Sequence, residues 1–207
     1  MLKKELKIRT PALRNMEVGV LKRYDLLTAA RRREIDTYSV AKLDTLLPRY
    51  NDTPNINYTG SPIVHVASTV VYCEPEVLIL KRSDKVSTDR GKWSFVDGLI
   101  DNARVKLTET ARRELDEELG WGKVILPSLI ESEVKYTYKD GKRIWVVHPL
   151  LQLLTSKPSV WLNDENSAYA WVKWDELSQY KRVVRCNPRL LDTTLQAGDG
   201  QVVPVYM

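Results

Sequence analysis

Apolar residues recur at helical spacing through residues 12–47, among them Leu13, Met16, Val20, Leu27, Ile35, Val40, Leu43 and Leu47, and this periodicity predicts helix. Pro48 to Pro62 breaks the pattern with Pro, Asn and Gly and almost no aliphatic side chains, which reads as a linker or an extended arm. Beyond it the period changes. Ile63–Tyr72 and Val77–Arg82 are β-branched, apolar runs separated by the turn-like Cys73-Glu74-Pro75-Glu76, as two strands would be. A polar loop from Ser83 to Lys92 leads to a short strand pattern, Trp93-Ser94-Phe95-Val96. Leu107 to Leu119 is the clearest helix, with Thr108 near its start and Gly120 as its stop. Strand patterns follow at Val124–Tyr138 and Arg143–Leu154, joined by the hairpin turn Lys139-Asp140-Gly141-Lys142. Tyr169–Trp174 reads as a strand, Trp174–Leu177 opens a short helix, and Pro188–Gln196 forms another. Strands on both sides of a helix indicate a mixed α/β layer fold, with a domain boundary at residues 60 and 61.

On the Leu107–Leu119 helix, 100° per residue gathers Leu107, Ala111, Leu115 and Leu119 into one apolar stripe. Glu109, Arg112 and Asp116 fall on the opposite side, where solvated charges belong. Glu114 and Glu118 instead fall at the edge of the buried stripe, with Glu117 beside them. Carboxylates at i, i+3 and i+4 held against the protein body repel one another and lose hydration. A hard divalent cation with oxygen ligands relieves both, and Mg²⁺ is the natural ion, with Mn²⁺ as the alternative. An ordinary acidic helix with i,i+4 pairing is the bland explanation; the position of Glu114 and Glu118 on the wheel argues against it. Arg113 offsets part of the charge and holds Glu117 one turn on.

Composition narrows the class. The 207 residues are 43% hydrophobic and 29% charged, with nine Gly and ten Pro, which excludes collagen-like and disordered chains. The longest apolar runs fall far short of the ~20 residues of a membrane span, and no signal peptide is expected from Met1-Leu2-Lys3-Lys4-Glu5. Two cysteines in unrelated contexts, Cys73 and Cys186, suit a reducing cytoplasm and packed thiols better than a disulfide framework. Residues 1–60 hold 12 Lys+Arg against 7 Asp+Glu, whereas residues 61–207 balance at 20 each. The excess, including Arg31-Arg32-Arg33, suggests a solvated helix face or an approach for an acidic partner.

Gly98 followed by Arg113-Glu114-Leu115-Asp116-Glu117-Glu118-Leu119-Gly120-Trp121 resembles the Nudix box, Gly-x5-Glu-x7-Arg-Glu-U-x-Glu-Glu-x-Gly-U, where U is bulky and apolar. The flanks Val77–Arg82, Gly91–Gly98 and Glu165 with Trp171–Leu177 are similar to the family's approach to the box and its late acidic loop, strand and short helix. The likeness spans about residues 62–180. It departs in the first half of the box: counting back from Arg113, the early glutamate falls on Val105 and the glycine on Leu99. Asp101 is a nearby loop carboxylate.

The resemblance implies a Nudix-type α/β/α sandwich with a mixed sheet at residues 61–207, preceded by a basic helical extension and linker at residues 1–60. It implies that Glu114, Glu117 and Glu118 bind Mg²⁺, with the Gly98 carbonyl as a further ligand, and that Arg113 orients the glutamates. The general base is expected from Glu117, Glu118 or Glu165, with Glu133 in reserve. Arg82 and Lys92, with Lys81, flank the expected mouth and suit phosphate; Trp93, Tyr136, Tyr138, Trp145 and Tyr169 offer faces to a base. His65 and His148 are expected to be packing residues without partners. The function implied is Mg²⁺-dependent hydrolysis of a nucleoside diphosphate linked to another moiety. A catalytically weak module binding a nucleotide or RNA is the alternative that Val105 and the basic extension favour. Homodimerisation, substrate coverage and partner binding are the roles open to the extension.

Overall fold

The computed structural model describes residues 39–50, 53–132, 136–140 and 143–180. The helix expected before residue 39, Arg31–Arg33, Glu133, the turn residues Gly141 and Lys142, the helix expected at 188–196 and Cys186 lie outside the described residues.

The core is an eight-stranded mixed sheet. Strand β1 (Ile63–Cys73) is buried along its whole length, as the central strand of a sheet covered on both faces must be. It pairs in parallel with β7 (Arg143–Leu153) from Ile63↔Ile144 to Tyr72↔Leu153. Its other edge is shared. At one end Tyr72 and Cys73 turn tightly into β2 (Glu76–Arg82); at the other, Val66–Thr69 pairs antiparallel with β4 (Val96–Leu99). β2 carries β3 (Trp93–Ser94) and β8 (Asn166–Lys173), and β7 carries β5 (Ile130–Glu131) and β6 (Tyr136–Asp140).

Alternate residues of β1 and β2 feed two separate cores. Val66, Val70, Val77 and Ile79 meet Phe95, Val172, and Trp174 and Leu177 of a 3₁₀ helix (Trp174–Gln179) on one face. On the other, Val71, Leu78 and Leu80 meet Leu115, Leu119 and Trp121 around helix α2 (Leu107–Leu119). The apolar stripe of α2 thus faces the sheet, and Gly120 ends it at φ +70°, the left-handed conformation glycine adopts without strain. The helix begins after Lys106 without a side-chain cap, so Thr108 lies inside the first turn.

Three local expectations change. The Trp93–Val96 strand divides at Phe95, which is wholly buried and stacks on Trp174, so β3 serves β2 and β4 serves β1. The strand expected from Val124 begins only at Ile130. Val124, Leu126 and Leu129 pack individually onto the α2 side; Pro127 has no N–H to give a ladder, and its carbonyl accepts from Arg112 and Gln152. His65 and His148 do have a partner: each other, Nδ1 to Nε2, at 2.8 Å in the buried interior.

Residues 48–50 and 53–62 form an ordered arm. It follows a one-turn-and-more helix α1 (Val40–Leu46) and is pinned by a bridge between Arg49 and Ile56. Leu43, Ile56 and Tyr58 are buried against Ile63, Val64, Ile144 and Val146. Ile56 N–H donates to the Asp101 carbonyl and Tyr58 Oη–H to the Ile100 carbonyl, at 2.5 and 2.6 Å. The arm therefore ties down the loop that carries the chain from β4 into α2. Among the described residues no helix is long and apolar enough to cross a membrane.

Candidate active site

Helix α2 supplies the acidic row, and its rotation decides how deep each carboxyl sits. Glu118, one position from the apolar stripe, is only 6% exposed. Glu114, one turn earlier, is largely buried, and Glu117 is about half exposed. Burial raises the Glu114 pKa to about 7; Arg113 opposes the shift, and Glu117, Glu165 and Asp101 add to it. Burial likewise pushes Glu118 well above the usual carboxylate range, reinforced by Asp97 and Glu114 and opposed by a hydrogen bond from Asn166.

Gly98 makes room for this arrangement. A Cβ at that position would lie 2.2 Å from the Glu114 carboxyl carbon, so only glycine lets β4 approach the helix closely enough to cradle the acid. The glycine expected one residue later is Leu99, 36% exposed. Val105, where the early glutamate was expected, sits in a turn on Asn102 in the loop before α2. Asp101 stands in that same loop with its carboxyl 3.9 Å from the Arg113 guanidinium, and burial raises its pKa.

Arg113 is the hub of the ion pairs, 3.0 Å from Glu114 Oε1 and 3.7 Å from Glu117 Oε1. The guanidinium gives the cluster a single positive charge against several carboxyls, whose mutual repulsion adds to the burial that is the main cause of the raised pKa values. Among the described residues, no three acidic, His or Cys side chains converge on one point as a ready-made metal cage. Glu117 and Glu114 are held by Arg113 instead.

The loop before β8 completes the site from the opposite side. Glu165 is exposed; its N–H bonds Asn163 Oδ1 and its carbonyl accepts from Ser83. Its charge acts on both Glu114 and Glu118, which places it in their neighbourhood. Next to it, Asn166 donates Nδ2–H to Glu118 Oε2 at 2.9 Å. Asp97 accepts from Ser68 Oγ at 2.5 Å. Neither Asn166 nor Asp97 was given a role by sequence; adjacency to Glu165 and Gly98 was the available signal.

Arg82, Lys92 and Trp93 lie together on the β2–β3 hairpin. Arg82 pairs with Asn166 across the β2–β8 ladder, which brings it to the site, while its Nε bonds the Thr88 carbonyl. Lys92 is held by Asp89 at 2.6 Å. Trp93 meets Tyr180 edge-on, 5.1 Å between centroids, against the Phe95–Trp174 core.

Buried acids with raised pKa values, cradled by a glycine and offset by one arginine, either hold protons or give them up to a cation. The chain is 29% identical over 109 residues to the nucleoside triphosphatase NudI of Salmonella paratyphi B, covering 50% of this chain and 77% of that protein, and equally to NudI of Salmonella newport. Its fold is similar to the MutT protein from Methanosarcina mazei Go1, with TM-score 0.51, 18% identity, and 65% and 94% of the two chains covered. It is also similar to the dihydroneopterin triphosphate pyrophosphohydrolase of E. coli, with TM-score 0.53, 18% identity, and 64% and 96% covered. The family model described as the NUDIX domain matches residues 64–193. With that match over more than half its length, the chain belongs to the Nudix family and is a hydrolase acting on phosphoric anhydride bonds.

Proposed function

We propose that the protein is a divalent-metal-dependent pyrophosphohydrolase that cleaves a diphosphate linkage in a nucleoside diphosphate joined to a further moiety, a third phosphate being one such moiety. The observation that carries the reading is the burial of Glu118 and of Glu114, the latter against Gly98, a cost that a bound cation would remove. The similarity to relatives named nucleoside triphosphatase supports the substrate class.

In this reading Glu114, Glu117 and Glu118 hold the ion, with the Gly98 carbonyl as a further donor. Mg²⁺ is the favoured ion and Mn²⁺ the alternative, because the donors are hard oxygens. A bound ion of this kind neutralises charge on a diphosphate and acidifies a water. Arg113 would orient Glu114 and Glu117, the two carboxylates it pairs with. Glu165 serves as general base from its exposed loop, opposite the helix. Arg82 and Lys92 supply positive charge for the phosphates, and Trp93 a face for the base. The buried thiol of Cys73 suits a reducing cytoplasm. Residues 1–60 are read as a basic appendage to the Nudix-like domain at 61–207, and the arm over Ile100 and Asp101 supports a role in shaping the loop into α2.

Val105 in place of the early glutamate favours a second reading, a module that binds a nucleotide or RNA with little turnover. Product release from dinucleoside polyphosphates, nucleotide sugars, NADH, capped RNA and nucleoside triphosphates, with Mg²⁺ or Mn²⁺, separates the two. Turnover that requires metal is expected. In Glu118→Gln it should fall by more than the roughly 10–100-fold that the loss of an outer-shell partner costs. Binding without turnover on every compound would replace the first reading by the second.

A further inference from the structure

Asn166 opens β8 and is 6% exposed. Along the rest of that strand Val172 and Ala170 face the core around Phe95, while Trp171 faces the α2 side. Regular alternation would point Asn166 the same way as Ala170. A register shift at Lys81/Arg82 intervenes: Lys81 pairs with Ala168, but Arg82 pairs with Asn166, and Ser167 is passed over. The shift turns Asn166 to the α2 face, where its Nδ2–H reaches Glu118 Oε2 at 2.9 Å. Irregularities of this kind beside active sites commonly re-aim one side chain.

The other half of the amide stands out. Asn166 Oδ1 is buried and has no hydrogen-bond partner among the described residues. Burying an acceptor unsatisfied costs about 1–3 kcal/mol, so a donor that arrives with the ligand has something to gain there. Waters held by a hard divalent ion commit their lone pair to the metal and present only hydrogens outward, and Mg²⁺ keeps several of them. An amide suits that surrounding as neither a carboxylate nor a hydrocarbon does, since it donates to Glu118 and accepts from a water at once.

We infer that Asn166 is a positioning residue of the carboxylate centre: its Nδ2–H fixes Glu118, and its Oδ1 accepts a hydrogen from a water in the shell of the bound ion. The inference rests on the metal-dependent reading above. It is tested by titrating the full-length chain with Mn²⁺, following the free ion by electron paramagnetic resonance and the bound ion by water-proton relaxation. The set is wild type, Asn166→Ala, Asn166→Leu and Glu118→Gln. Both Asn166 variants should bind Mn²⁺ about tenfold or more weakly, with altered relaxation per bound ion; a purely structural role would leave that relaxation unchanged. Asn166→Leu keeps the number and branching of the side-chain heavy atoms, so a packing defect peculiar to alanine does not decide the result. Wild-type affinity and relaxation in both variants would overturn the inference and leave the metal reading standing. A wild type that binds Mn²⁺ no better than Glu118→Gln would overturn both.

Discussion

A single methyl group at residue 98 would collide with the Glu114 carboxyl, so Gly98→Ala is a clean probe of the cradle. The acid is the flexible partner and is the group that moves. The fold should survive, with Mn²⁺ affinity down at least tenfold in a titration followed by paramagnetic resonance. The depth of Glu114 and Glu118 was legible in sequence because a helix has a fixed angular period, and the arithmetic from Leu107 carried them to the buried edge. Asn166 was not legible. Its contact with Glu118 depends on a register shift in a ladder between β2 and β8, and no local period encodes that. The His65–His148 pair was missed for the same reason: the two rings meet only because β1 and β7 run parallel, with Ala67 opposite His148.

At the scale of elements, α2 carries its own pH dependence. Glu114 titrates at about 7 in the fold against an ordinary 4.5. A raised folded pKa means that the protonated acid stabilises the metal-free protein. That contribution is complete below about pH 4.5 and disappears as pH rises through about 7. A shift of this size corresponds to about 3 kcal/mol for Glu114, and Glu118 acts in the same direction. Thermal unfolding in the presence of a chelator should therefore show a midpoint falling from pH 5 to pH 8.5. Divalent metal should restore it at the alkaline end, and Glu118→Gln should flatten the fall. Most elements here were legible, α2 to the residue, because its stripe and its glycine stop agree. The run from Val124 was not, since its apolar side chains face the helix core one by one and Pro127 cannot join a ladder.

For the whole molecule, the arm of residues 53–62 couples α1 and the start of the sheet to the loop that feeds α2. Tyr58 is the rivet, buried and bonded to the Ile100 carbonyl, with burial raising its phenol pKa. Tyr58→Phe leaves that carbonyl without its donor. It should cost about 1–3 kcal/mol in urea unfolding and lower Mn²⁺ affinity through the Asp101 loop. Sequence left this stretch open between a linker and an extended arm, because Tyr50, Ile56 and Tyr58 among Pro and Asn give no periodic signal, yet Ile56 and Tyr58 are both in the core.

The parallel pairing of β1 with β7 also bears on time. Residue 63 finds its neighbour only once residue 144 exists, and Glu118 meets Asn166 later still. Contacts so distant along the chain make for slow folding, and the acidic row of α2 is synthesised well before the strand that completes its surroundings. On the metal-dependent reading, a cation at this site would act on a sheet already closed: it should slow the opening of the finished protein and leave the rate of its formation almost untouched, which unfolding and refolding rates measured with and without Mn²⁺ would check.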